Sequence, residues 1–195
     1  MAGPRNRLIP ARTAMRHKIR KELLARFRLE FERRLPDFHS HKEKLDDPTW
    51  AWQEAPKLTF FVQLQLCDNK DQFVLEIAWS EDGLFPWWPM PSTRLQIDAP
   101  QWHVQLARLW ATAAMADAWE IVPAETASAE RKARLAALDR GEVQEFMRET
   151  PEEEYLPRVA PLVEDAVQKL IDFGLPLFRR VAEQRGIPWP DHEVS

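Results

Sequence analysis

His39 and His41 stand one residue apart with Glu43 two positions further on, a spacing that lets an extended segment present two imidazoles and a carboxylate to one metal ion. A closed site needs about four ligands, and His17, His103 and His192 are scattered along the chain, so no metal is expected. Asp68, Asp71, Glu76 and Asp82 fall along one stretch of alternating apolar residues and invite comparison with magnesium-dependent nucleases. Those enzymes place an acid-x-Lys triplet on the strand that follows a first acid, to hold the metal and activate water. Here Glu76 is followed by Ile77 and Ala78, with no lysine, and turn residues plus one polar strand position account for the four acids. Cys67 is the one cysteine, so no intrachain disulfide forms, and it ends an apolar run with no histidine in reach by sequence. No G-x-S-x-G elbow is present, and five glycines supply no phosphate-cradling loop. No catalytic residue and no cofactor emerges, which favours a chain that acts by contact.

Two features carry that contact chemistry. The first is charge. Residues 1–34 hold eleven Lys or Arg against three Asp or Glu, a net +8, while the whole chain is −4. Arg12, Arg16, Lys18, Arg20, Lys21, Arg26 and Arg28 form a basic cluster that counterion release would reward on nucleic acid. The cluster lacks interleaved stacking rings, because Phe27 and Phe31 belong to an apolar stripe. Its other destination is intramolecular: pairing with the acidic remainder, which carries −12.

The second feature is the run "GLFPWWPMPSTR", residues 83–94, which places Phe85, Trp87, Trp88 and Met90 among Pro86, Pro89 and Pro91, with Arg94 at its end. Three prolines remove ladder donors and hold the backbone extended. A stiff segment loses little entropy on binding, and tryptophan is enriched at interface hot spots. Two readings stand: the rings face a protein partner, or they fold back as a satellite of the core.

The elements that must position these residues follow from periodicity. Met15, Ile19, Leu23, Phe27 and Phe31 recur every four residues through a helix that Pro10 can open and Pro36 ends. Trp50 and Trp52 alternate between Pro48 and Pro56 as a short edge strand. "LTFFVQLQL" and "FVLEIAWS" alternate with period two around the turn "CDNKDQ", predicting an antiparallel hairpin with Leu58, Phe60, Val62, Leu64, Leu66, Phe73, Leu75, Ile77 and Trp79 on one greasy face. "TRLQI" predicts a third strand. Gln101 to Trp119, with only Arg108 and Asp117 charged, reads as a buried helix seated on that face. "TASAERKARLAALDRG" and "EVQEFMRE" read as further helices. A last one, opening at Thr150 with Glu153 in the capping-box position, is kinked by Pro157, Pro161 and Pro176 and closed by Gly186.

The order of a basic helix, "RRLPDF", a tryptophan-containing loop and "FFVQLQLCDNKDQFVLEIAWSEDG" resembles small bacterial α+β proteins found among immunity and phage-defence genes. Phe73, Glu76, Trp79 and Ser80 carry the resemblance, over about residues 20 to 85. It implies a non-catalytic role through protein contacts. The expectation is one α+β domain over residues 1–195: a helix and a small antiparallel sheet of three or four strands in 1–100, a helical part in 101–186, and a loose tail in 187–195. The partner is a protein, bound through Phe85, Trp87, Trp88, Met90 and Arg94, with nucleic acid on the basic helix as the alternative. The oligomeric state stays open. No uncharged stretch approaches about 20 residues and no apolar run follows the basic N-terminus, so no membrane partner and a cytoplasmic location are expected.

Overall fold

The computed structural model describes residues 15–41, 47–55, 58–67, 71–85, 92–94, 103–104, 118–144 and 152–189. Among them the chain is α+β: an antiparallel sheet roofed by helices, with a helical C-terminal half. Helix α1 covers His17–Arg34 and ends where expected, with Leu35 outside helical geometry just before Pro36. All five residues of its four-residue repeat are buried, and Phe27 stacks on Phe31 with ring centres 5.5 Å apart. Trp50 tilts against both rings, at 5.2 and 4.9 Å. The start of the helix differs from expectation, because Arg16 is extended (ψ 135°) and supplies no side-chain cap. The orphan N–H groups of the first turn are met from elsewhere: a Glu152 carboxylate oxygen accepts from Lys18 and Ile19 at 2.7 and 3.2 Å. A carboxylate at a helix N-terminus also suits the helix dipole.

The strands are β1 (His39–Ser40), β2 (Thr49–Ala55), β3 (Leu58–Cys67), β4 (Gln72–Ser80), β5 (Ser92–Arg94), β6 (His103–Val104) and β7 (Ala118–Glu120). They run in the order β1-β2-β3-β4-β5-β6, with β7 also on β4, so the sheet is wider than three or four strands. The predicted hairpin forms in unbroken register from Thr59↔Ser80 to Cys67↔Gln72. Beyond it, the free edge of β4 is shared: β5 pairs with Glu76 to Ala78, and β7 with Gln72 to Val74.

The greasy face joins the main core, with Leu58, Phe60, Val62, Leu64, Phe73, Leu75 and Ile77 buried and Leu66 and Trp79 packed at its margin. The opposite face is buried over much of its length too. Phe61, Gln63, Val74, Glu76 and Ala78 are buried there as well. Burial of the glutamine is compatible with its chemistry, because Gln63 Nε2 donates to Thr49 Oγ1 on β2 at 3.1 Å.

The roof of the greasy face also needs correction. In the span from Gln101 to Trp119, the described residues 103–104 and 118–119 are strand, and the rest lies outside the described residues. A nearly uncharged stretch fits a buried strand as well as a buried helix, so period alone did not decide. Helix α2 covers Ala124–Asp139 and stops at Gly141 (φ 75°), as expected. A 3₁₀ turn, Leu156–Arg158, then leads into α3 (Val159–Lys169), a π turn (Leu170–Gly174) and α4 (Leu175–Gln184), and Gly186 is left-handed. Helix α3 lies along α1, and these two with α4 close the core. The π turn ends at Gly174, two residues before Pro176, whose missing N–H and bulky ring an unbroken α-helix would not accommodate.

Gly174 sits where a Cβ would come 2.5 Å from Leu170 Cδ1, itself fully buried. Gly174→Ala is therefore expected to cost about 1–3 kcal/mol through forced repacking; an unchanged urea midpoint would show that Leu170 moves aside freely. The tail is held further than expected. Trp189 meets Trp52 edge-on at 4.6 Å and Phe60 at 5.5 Å. The capping box at Thr150 and the helix "EVQEFMRE" fall largely outside the described residues. No described helix is long and apolar enough to cross a membrane.

Candidate interaction surface

The proline and tryptophan segment leaves the end of β4. Glu81 and Asp82 are exposed, and the Asp82 carboxylate accepts the Leu84 N–H at 3.0 Å, which closes a side-chain turn and holds that carboxyl below its usual range. Gly83 adopts φ 76°, a conformation glycine reaches without strain. The chain then turns its next two side chains in opposite directions. Leu84 is 56% exposed, whereas Phe85 is only 5% exposed. Phe85 seats edge-on against Phe61 at 5.6 Å, in a small second cluster with Ala78. His41 meets the same Phe61 ring at 5.2 Å.

Phe85 is thus an anchor in the sheet's second face and not an open contact residue, a correction to its expected place on the surface. At the far end, Ser92–Arg94 pairs with β4 in the register Ala78↔Ser92, Ile77↔Thr93 and Glu76↔Arg94. One end of the segment therefore rests on β3 and β4 through Phe85, and the other is paired to β4. Trp87, Trp88 and Met90 lie outside the described residues, as does the Arg94 side chain. Glu81 also faces Arg185 from the end of α4, at 3.4 Å.

The basic helix resolves differently. Arg12 lies outside the described residues. Arg16 is not on the surface at all: it is 7% exposed and sits among two carboxylates and a ring. Its backbone N–H donates to Asp71 Oδ1 at 2.9 Å, its Nε lies 2.9 Å from Asp71 Oδ2, its Nη2 pairs with Glu130 on α2, and its guanidinium stands over the Tyr155 ring at 5.5 Å. Asp71 holds a left-handed conformation (φ 47°) in the hairpin turn, and its carbonyl accepts from Ile121 and Val122 at 3.1 and 3.3 Å. Four parts of the chain thus meet at one buried cation. The Tyr155 hydroxyl, hydrogen-bonded to Glu154 and partly desolvated, has its pKa pushed up to about 12.

Around α1 the other cations face acids. Lys18 pairs with Glu153, Arg26 with Glu22 at 2.7 Å, Arg28 with Glu32 at 4.0 Å, and Arg33 with Glu30 at 2.6 Å. Arg20 is half-buried, and Lys21 is exposed. Arg16 and Lys18 thus reach acids elsewhere in the chain, the intramolecular destination the sequence offered, whereas Arg26, Arg28 and Arg33 pair with Glu22, Glu32 and Glu30 of the same helix, acids already counted in the net +8.

The remaining chemical candidates do not converge. His39 is exposed on β1 while His41 lies against Phe61, and Glu43 is outside the described residues. No group of three or more His, Cys, Asp or Glu suited to a metal occurs among the described residues. Asp71 is committed to Arg16, Glu76 is buried on β4, and Asp82 serves its turn; Asp68 lies outside the described residues.

One polar group that the sequence did not single out is Asp165 on α3. It accepts the Trp119 indole N–H at 2.8 Å and pairs with Lys169 at 2.5 Å, tying β7 to the helical half. Burial alone would raise this carboxyl, but the hydrogen bonds from Lys169 and Trp119 outweigh it and hold it below its usual range. A carboxyl depressed in the folded state contributes stability above its unfolded pKa and loses it as pH falls through the folded value. Asp165→Asn is accordingly expected to flatten the loss of stability below about pH 4, read as unfolding midpoint against pH; an acid limb identical to that of the parent chain would remove Asp165 from that role. Compared with protein-family models, with curated proteins and with solved structures, the chain matches none.

Proposed function

We propose that the chain is a non-catalytic interaction subunit that binds a protein partner through the proline-stiffened segment 83–94, in the manner of a bacterial immunity or phage-defence accessory protein acting in the cytoplasm. One observation supports this reading above the others: the segment is rooted at both ends on the sheet, by Phe85 against Phe61 of β3 and Ala78 of β4, and by the β5 ladder on β4. A rooted, proline-rich span presents rings with little ordering cost on binding. Leu84, directly before the buried Phe85, is exposed.

The nucleic-acid alternative has less to work with. Of the seven cations it names, Arg16 is buried and Lys18, Arg26 and Arg28 already face carboxylates.

The test compares two variants in one capture experiment. Trp87→Ala with Trp88→Ala is expected to abolish partner recovery from the native host while leaving the melting temperature within a few degrees, on the order of what surface changes produce. Phe85→Ala is expected to lower that temperature, because it removes the anchor. Recovery of the same partner by the double tryptophan variant, or collapse of its stability, would reject the reading.

A further inference from the structure

Helix α2 carries two apolar side chains that stand exposed among the described residues. Its inward side is used by Ala137, which is buried, and by Glu130, which holds Arg16. Leu135, two positions before Ala137, points about 200° away from it around the helix and is 49% exposed; Leu138 is 44% exposed. The helix stops sharply just beyond them. Gly141 N–H bonds Leu138 O at 2.9 Å and Glu142 N–H bonds Ala137 O at 2.9 Å, the paired bonds of a Schellman end.

Leu135 and Leu138 lie side by side as a two-residue apolar seam near the end of the helix, preceded on the same row by the polar Ser128 and Arg131. Lys132 and Asp139 flank that seam on the same side, seven residues apart, both exposed and neither in an ion pair within the described residues. A second copy of α2 laid antiparallel, with Leu135 on Leu138 of that copy, brings Lys132 of each chain to Asp139 of the other. The seam is therefore self-complementary in shape and in charge, which is what a two-fold interface requires.

We propose that α2 is a homodimer contact, closed about a two-fold axis between Leu135 and Leu138 with reciprocal Lys132–Asp139 pairs. One helix pair buries less than about 1,200 Å² in all, the weak and reversible class of interface, so association is expected in the micromolar range. The surface is separate from segment 83–94, and its test does not depend on that reading.

Sedimentation velocity on the full chain over a series of concentrations decides the proposal. The parent chain is expected to shift from monomer to dimer, and Leu135→Glu with Leu138→Glu to remain monomeric at every concentration with an unchanged melting temperature. Lys132→Asp is expected to weaken dimerisation on the order of tenfold, since two pairs per dimer are reversed, and Lys132→Asp with Asp139→Lys to recover it. A parent chain that stays monomeric, a dimer that survives the leucine changes, or a charge swap that fails to restore what the single reversal lost would each overturn it.

Discussion

Arg16→Ala is expected to lower the unfolding free energy by about 3–5 kcal/mol, the range for deleting one partner of a buried ion pair. Two carboxylates are left without their cation: Asp71, whose side chain is 11% exposed, and Glu130 at 21%. In a chain of this size each kcal/mol moves the melting temperature by about 2–4 °C, so a fall on the order of 10 °C should appear in a thermal scan. Arg16→Lys is expected to recover only part of that loss, because one ammonium cannot reach two carboxylates and stack on Tyr155 together. Replacing the whole set tests the cause. Arg16→Met with Asp71→Asn and Glu130→Gln removes the stranded charges and is expected to regain most of the stability. A triple variant as damaged as Arg16→Ala would show that packing, not charge, carries the effect.

Phe60→Ala is the second large loss expected, about 3–5 kcal/mol for a fully buried ring. Phe60 is inaccessible to solvent and meets Phe178 of α4 at 4.7 Å, Trp52 of β2 at 5.8 Å and Trp189 at 5.5 Å. Removing it opens a cavity exactly where the sheet meets the C-terminal half, and neighbouring rings are too rigid to fill it. Phe60→Leu keeps most of the volume and is expected to cost under about half as much. The measurement is the urea midpoint at constant slope; equal losses for the two variants would count against a cavity and point to ring stacking instead.

These two positions also show how far the sequence could be read. Phe60 was legible, because strict alternation from Leu58 to Leu66 places it on the inner face of a strand whatever its partners are. Periodicity likewise recovered the α1 stripe and the inner face of the hairpin, and the backbone chemistry of proline and glycine the stops at Pro36, Gly141 and Gly186. Arg16 was not legible as a buried group. Helical periodicity set it among surface cations, and only the third dimension brings Asp71, Glu130 and Tyr155 to it. At 103–104 and 118–119, strand where a helix was expected, the reason is another: a run with almost no charge has no polar face, and without one the helical and strand periods cannot be told apart. In segment 83–94 the two opposed readings divide by residue at its start, with Phe85 inward and Leu84 outward.

The manner in which α1 begins has a consequence for biosynthesis. Its opening residues are completed by Asp71, Glu130 and Glu152, which lie 55, 114 and 134 positions downstream. A ribosome emits this helix long before it emits the groups that finish it. An emerging fragment ending before Glu152 holds an amphipathic, uncapped helix with Ile19, Leu23, Phe27 and Phe31 uncovered on its α3 side, a species prone to stick to its neighbours. Helix α1 is thus secured at its start only after Glu130 and Glu152 have been made.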